Sequence, residues 1–280
     1  MANRRLRMGQ YNRLKVIKQL DFGIYLDGYE DEILVPTQYV PTDIEIGDFL
    51  DVFVYRDSED RAIATTLQPA ATVGEFAYLK VTSVTPTGVF MEWGLPKDLL
   101  VPHKEQRQNM TVGKSYLVYI YLDKKTDRIV ASAKVERFFD EDISDLTEGQ
   151  EVELLPFEYT EMGIKALVNQ RHLGVLYRDE VFKNFDLGQN MKGFIKKIRP
   201  DQKLDLALVP QSYERITDSK ILIFEKLQAS DGFLPFSDKS APALIYETFG
   251  MSKKDFKKAI GGLLKEGKIS LKNNGIYMTT

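Results

Sequence analysis

The sequence predicts a mainly β chain: small closed sheets repeated through about residue 213, followed by an α+β unit built on three helices. Three observations predict it. The first three quarters contain an internal repeat, each copy is written in short strand-type segments, and apolar spacing shifts to the helical period near residue 214.

The repeat sets the organisation. Residues 10–69 carry Phe22-Gly23-Ile24-Tyr25-Leu26, Ile33-Leu34-Val35-Pro36, Ile46-Gly47-Asp48 and Arg61-Ala62-Ile63-Ala64. Residues 74–134 carry Gly88-Val89-Phe90-Met91, Leu99-Leu100-Val101-Pro102, Val112-Gly113-Lys114 and Arg128-Ile129-Val130-Ala131. Matching blocks lie 65, 66, 66 and 67 residues apart, in one order. A more diverged third copy has Gly163-Ile164-Lys165-Ala166, Leu187-Gly188-Gln189 and Lys203–Leu208, offset from the second by 75 residues.

Within a copy, runs such as Phe49–Val54 and Ser115–Ile120 are rich in β-branched and aromatic residues, with part of the alternation of a half-buried strand. Asp57–Asp60 and Asp123–Asp127 read as polar turns between strands. Gly23 and Gly88 fall inside strand pattern, where glycine marks a bulge or a sharp coil of the sheet. About five short strands in roughly 65 residues, with such glycines, predict a closed five-stranded barrel of the OB-fold type. Each copy is expected to bury its own small core.

The last quarter reads differently. Glu214–Gln228 and Ala243–Gly250 predict two helices, the second ending at its glycine. Ser252 is an N-cap for a third, Lys253–Glu266, which sets Phe256, Ile260, Leu263 and Leu264 on one face and Lys254, Lys258 and Lys265 on the other. Gly267–Leu271 and Ile276–Met278, around an Asn274-Gly275 turn, predict a hairpin. Three helices followed by a hairpin is the order of a winged helix. The expected domains are therefore barrels at 1–69, 70–140 and 141–213, and a winged-helix-like domain at 214–280.

Composition removes several function classes. The 280 residues contain no cysteine, so disulfides, thiolate metal sites and a cysteine nucleophile are excluded. The two histidines, His103 and His172, lie far apart, too few for a zinc site or a histidine triad. No apolar run reaches transmembrane length, and the basic start Met1–Gln10 is not followed by the apolar stretch of a secretory signal. A cytoplasmic location, no membrane partner and no cofactor are the expectations. The net charge of −3 argues against binding nucleic acid by bulk attraction, so any such surface must be local. Residues 70–140 and 214–280 are mildly basic and the other two segments acidic.

In block order, the repeat resembles the S1-type oligonucleotide-binding barrel, which has an aromatic-flanked glycine, a Leu-Val turn, a Val-Gly-Asp step and a closing Asp-x-Arg strand. Phe22-Gly23-Ile24-Tyr25, Leu34-Val35-Pro36, Ile46-Gly47-Asp48 and Asp60-Arg61 carry this in the first copy. Thr87-Gly88-Val89-Phe90, Leu100-Val101-Pro102, Val112-Gly113-Lys114 and Asp127-Arg128 carry it in the second. The resemblance covers about residues 10–210. Pro36 and Pro102 stand where the pattern usually has histidine, and Lys165 stands where an aromatic is expected, which makes the third barrel a candidate spacer or protein-contact module. Three such barrels before a winged helix are similar to the conserved virulence factor B proteins, a bacterial family. That likeness implies an RNA-binding regulator rather than an enzyme.

Single-stranded nucleic acid is held by stacking bases on aromatic faces while cations follow the backbone. By the resemblance, Phe22, Tyr25 and Phe90 are the stacking residues and Arg61 and Arg128 the backbone cations, with Lys80 and Lys15 from the opening strands. Lys254 and Lys258 on the third helix of the tail would add contacts. The competing readings are ordinary: strand aromatics are commonly core, arginines in turns are commonly solvated, and a lysine stripe is commonly a wet helix face. Trp93 is expected at a packed strand end, and His103 reaches the family histidine's place only through a slip of register. The acidic loop Asp27–Glu32 lies near the first site and would repel phosphate. Single-stranded RNA is thus the expected partner, with DNA through the winged helix second. The rivals are a protein-binding scaffold of barrels and a carboxylate-metal nuclease, for which the acidic residues show no ligand spacing.

Overall fold

The computed structural model describes residues 5–178, 186–209, 214–272 and 275–279, the side chains of 214–218 excepted. The chain forms two compact units, Met1–Phe138 and Phe139–Thr280.

In the first unit, β1 (Tyr11–Leu20), β2 (Gly23–Asp27), β3 (Glu32–Pro36), β4 (Phe49–Arg56) and β5 (Ala62–Thr65) close in the order β1-β2-β3-β5-β4. A second closed sheet follows from β6 (Phe76–Thr85), β7 (Gly88–Glu92), β8 (Leu99–Pro102), β9 (Ser115–Asp123) and β10 (Arg128–Ser132), with the same connectivity. Closure uses one parallel pairing in each, Leu34 beside Ile63 and Leu100 beside Val130. A bulge interrupts the long first strand at matching places, between Val16 and Lys18 and between Val81 and Ser83. It lets one strand coil around the small core and belong to both halves of the barrel.

Alternation then sorts the side chains. Leu14, Val16, Ile24, Leu26, Val35 and Val52 fill the first barrel; Leu79, Val81, Val89, Met91, Val101 and Ile120 fill the second. Each barrel has its own core as expected, with one addition between the first two. Phe53 and Tyr55 lie on β4 of the first barrel yet pack in the core cluster of the second, against Trp93. Val52–Tyr55 is buried without interruption, so this strand is covered on both faces.

The second unit opens with β11 (Glu151–Tyr159), β12 (Gly163–Val168), β13 (His172–Tyr177), β14 (Met191–Ile198) and β15 (Leu204–Ala207), closed in the order β11-β12-β13-β15-β14. Its bulge falls between Pro156 and Glu158. One hydrogen bond marks the common plan: Gly47, Gly113 and Gly188 donate to the carbonyls of Val16, Val81 and Pro156 at 2.9, 2.9 and 2.7 Å. His172 is buried, with Nδ1 3.0 Å from the Asp140 carbonyl, and therefore donates to it.

The tail contains α1 (Glu214–Ala229), β16 (Phe233–Leu234), α2 (Pro242–Phe249), α3 (Lys253–Lys265), β17 (Ile269–Lys272) and β18 (Gly275–Met278). The strand β16, which sequence spacing does not reveal, pairs with β18 to give a three-stranded sheet in the order β16-β18-β17. Ser252 caps α3 by accepting from the Asp255 amide at 3.2 Å, and Gly250 ends α2 in the left-handed conformation. Phe256, Ala259, Ile260 and Leu263 face the core, whereas Leu264 is 37% exposed and does not join them. The expected turn at Asn274 lies partly outside the described residues.

Candidate nucleic-acid interface

Strand alternation turns the predicted rings outward. On β2, Ile24 and Leu26 point into the barrel, and Tyr25 between them lies half-buried on the outer surface. On β7, Val89 and Met91 point inward and Phe90 outward. Phe22 sits in the turn before β2 and is 56% exposed. Its ring meets Tyr25 edge-on at 6.2 Å. The glycine before each ring has a steric cause. At Gly88 (φ 149°) a Cβ would lie 2.3 Å from the Val101 carbonyl oxygen, and Gly23 and Gly163 repeat this against Val35 and Leu176. The paired strands run too close there for any side chain, and the next outward position is delivered to the surface.

Sequence reasoning missed one cation. Lys18 stands directly opposite Tyr25 in the β1–β2 register, with its ammonium 5.1 Å from the ring centroid. Glu32 of the acidic loop lies 3.8 Å from that ammonium, so the loop is partly neutralised at the ring. Counting back across the short Asp21-Phe22 turn identifies Lys18 without a structure.

The predicted arginines are engaged with carboxylates. Arg61 donates from Nε and Nη2 to Asp57 at 2.9 and 2.8 Å, and reaches Glu59 at 2.9 Å. The hydrogen bond to Asp57 is the main influence holding the Arg61 guanidinium above its ordinary pKa, and Tyr25 contributes a smaller share. Arg128 donates from Nε to both oxygens of Asp60 at 3.1 and 3.0 Å. The reverse pair, Arg56 to Asp127 at 2.8 Å, crosses between the same two turns. Arg128 and Phe90 nevertheless line one cleft, together with Thr87, Trp93, Lys97 and Asp98 of the second barrel and Tyr55 and Asp60 of the first.

Lys80 is exposed but stands opposite Glu92 on β7 and does not line that cleft. Lys15 pairs with Phe49 on the β1–β4 side. Trp93 is packed at its strand end, as expected, its Nε1 donating to the Lys97 carbonyl at 2.7 Å. His103 lies 3.0 Å through Nε2 from the Pro86 carbonyl, and it too is absent from the cleft lining.

In the third barrel, Lys165 occupies the place of Tyr25 and Phe90 and is bonded at 2.8 Å to Glu158, its cross-strand partner. Met162, 60% exposed, takes the place of Phe22. On α3, Lys254 and Lys258 are exposed and make no ion pair with a described residue. Among the described residues no group of three or more histidine, aspartate or glutamate side chains is arranged to hold a metal, and no helix is long and apolar enough to cross a membrane.

Known protein families match the first two barrels and the tail. The S1 domain family model matches residues 8–67 and 73–134, and the CvfB-like winged helix domain model matches residues 222–278. The Bacillus subtilis protein YitL is 30% identical over 280 residues, covering 97% of this chain and 94% of its own. Conserved virulence factor B of Staphylococcus saprophyticus is 28% identical over 85% of this chain and 82% of its own. A crystal structure from Streptococcus pneumoniae, described as a multidomain protein with nucleic acid binding domains, is 26% identical over 97% of this chain and 98% of that one, with a TM-score of 0.45.

Proposed function

Because the chain belongs to the conserved virulence factor B family, we propose that it is a cytoplasmic RNA-binding regulator that grips single-stranded RNA and carries out no chemical step. The observation that carries this reading is the outward display of Tyr25 and Phe90 at repeat-related positions, each ring beside cations, with Phe22 exposed next to Tyr25. Bases stack on the rings, and Lys18, with Lys254 and Lys258 on α3, supplies ammonium groups to phosphates. Arg61 and Arg128 act in this scheme through the carboxylates that orient them. We read residues 141–213 as a divergent S1-like barrel whose Lys165–Glu158 pair replaces the ring. Several weak sites on one chain then gain affinity by tethering.

A protein-binding scaffold is the second reading, and the pairing of Arg61 and Arg128 with aspartates favours it, since paired arginines attract phosphate less. Titration of fluorescent single-stranded RNA at two salt concentrations, beside duplex DNA, separates the two. Saturable binding to RNA that weakens with salt, and weakens further in Tyr25→Ala and Phe90→Ala, supports the first. Absence of binding leaves the scaffold.

A further inference from the structure

The cleft beside Phe90 has a feature that stacking alone does not use. It encloses about 330 Å³, at the small end of the range that ligand sites occupy, and its walls are mostly apolar. Among its lining groups is one carboxylate that is oriented by a protein hydrogen bond at one oxygen only. Thr82 Oγ1 donates to Asp98 Oδ2 at 2.7 Å, and no hydrogen bond from a described residue reaches Oδ1.

The segment carrying Asp98 is fixed from both barrels. Trp93 Nε1 holds the Lys97 carbonyl, and Lys97 Nζ donates to the Asp57 carbonyl of the first barrel at 2.6 Å. The remaining charges in the lining are Arg56, Lys97 and Arg128 against Asp60, which leaves the cleft with three cations and two carboxylates once Asp98 is included. Arg56 and Arg128 are paired with Asp127 and Asp60, which leaves the Lys97 ammonium to offset the Asp98 carboxylate.

We propose that this cleft takes one base of single-stranded RNA turned out of the strand, with Phe90 against its face and Asp98 Oδ1 reading its edge, and that guanine is the preferred base. The inference rests on the RNA-binding reading above and adds a specificity to it. A carboxylate only accepts hydrogen bonds. Guanine presents two adjacent donors, N1–H and the N2 amino group, on its Watson–Crick edge. Adenine and cytosine present one amino donor beside a ring acceptor. Uracil presents one N–H between two carbonyl oxygens that repel the carboxylate. The acceptor at Asp98 thus orders the bases with guanine first and uracil last.

The test uses the full chain and three short oligonucleotides: all uridine, the same with one central guanosine, and the same with inosine, which lacks the N2 amino group. The guanosine oligonucleotide should bind about tenfold more tightly than the uridine one, at the lower part of the range by which a specific base contact discriminates. Inosine should fall between them. In Asp98→Asn the guanosine advantage should vanish and uridine affinity should rise, because the amide no longer repels the uracil carbonyls. Equal affinity of the wild-type protein for guanosine and uridine oligonucleotides, or a guanosine advantage that survives Asp98→Asn, overturns the proposal. Should the variant fail to fold, the inosine comparison in the wild-type protein decides alone. If no oligonucleotide binds at all, the RNA reading itself fails, an outcome distinct from binding without base preference.

Discussion

The Phe53 ring meets the indole of Trp93 edge-on, with centroids 5.7 Å apart and planes at 80°. One ring belongs to the first barrel and the other to the second, so the two barrels, each with its own core, also meet through a buried seam instead of being joined by a linker alone. At the rim, Asp60 accepts from Arg128 while Asp127 accepts from Arg56, two turn aspartates at repeat-related positions each held by the opposite barrel. The outward rings of Tyr25 and Phe90 are consequently fixed relative to each other, and a strand that binds both meets a preformed spacing.

Removing the shared ring should loosen this arrangement. Phe53 is fully buried, and Phe53→Ala is expected to cost about 3–5 kcal/mol, the usual range for deleting a buried aromatic side chain. Trp93 is the sole tryptophan, so its fluorescence during denaturant unfolding reports on this junction directly. The midpoint of that transition should fall substantially in the variant, and a midpoint within error of wild type would contradict the buried seam.

Acid should act on the same junction. The hydrogen bond from Arg128 holds the Asp60 carboxyl below its ordinary pKa of 3.8. A folded value lower than the unfolded one stabilises the fold fully at pH above the ordinary carboxylate range, and that contribution is lost as pH falls through the folded value. Trp93 fluorescence should therefore be flat from pH 7 to pH 5 and change below about pH 4. In Asp60→Asn the part of the acid transition due to this group should disappear. The pair is exposed to water, so its effect is modest and should shrink in high salt.

Two cations near the first-barrel rings should differ in importance for RNA. Arg61 is held by two carboxylates, whereas Lys18 lies over the Tyr25 ring with only a distant contact to Glu32. Lys18→Ala should weaken single-stranded RNA binding several-fold and reduce its salt slope by about one phosphate contact. Arg61→Ala should change affinity less. The reverse order, measured by titration at several salt concentrations, would mean that Arg61 exchanges Asp57 for phosphate on binding.

Most of the architecture was legible because it is repeated. Blocks at constant offset force one strand plan, and the glycine at each close strand approach identifies where that plan coils. A further block, Gly9-Gln10, Gly74-Glu75 and Gly149-Gln150, carries the same offsets of 65 and 75 residues and binds each barrel's opening turn to its fourth strand. It would have strengthened the third copy considerably. Lys18 was legible from hairpin counting, and the apolar run Val52–Tyr55, read above as part of a half-buried strand, has the continuous pattern of one covered on both sides. The partnership of Arg128 with Asp60 was not legible, because it depends on how two barrels dock and no local pattern encodes that. Strand β16 is only Phe233-Leu234, too short to show a period. Leu264 lies at the edge of the α3 stripe, where one side chain's fate depends on the neighbouring element.

Glycine substitutions offer the sharpest check on why the rings face outward. Gly88 and Gly113 both have positive φ, at 149° and 82°. Their surroundings differ: a Cβ on Gly88 meets the Val101 carbonyl at 2.3 Å, with the Pro102 backbone and the Leu100 side chain close behind, while a Cβ on Gly113 meets nothing within 4 Å. At Gly113, alanine carries only the cost of a left-handed backbone, about 1–2 kcal/mol. At Gly88 the same residue must also push two backbone strands apart, and these strands carry the closure of the barrel. Gly88→Ala should therefore lower the unfolding midpoint clearly more than Gly113→Ala, and it should weaken RNA binding at temperatures where the variant remains folded, because Phe90 is displaced with its strand. Equal destabilisation by the two substitutions would show that the close approach of β7 to β8 at Gly88 is not what positions the ring.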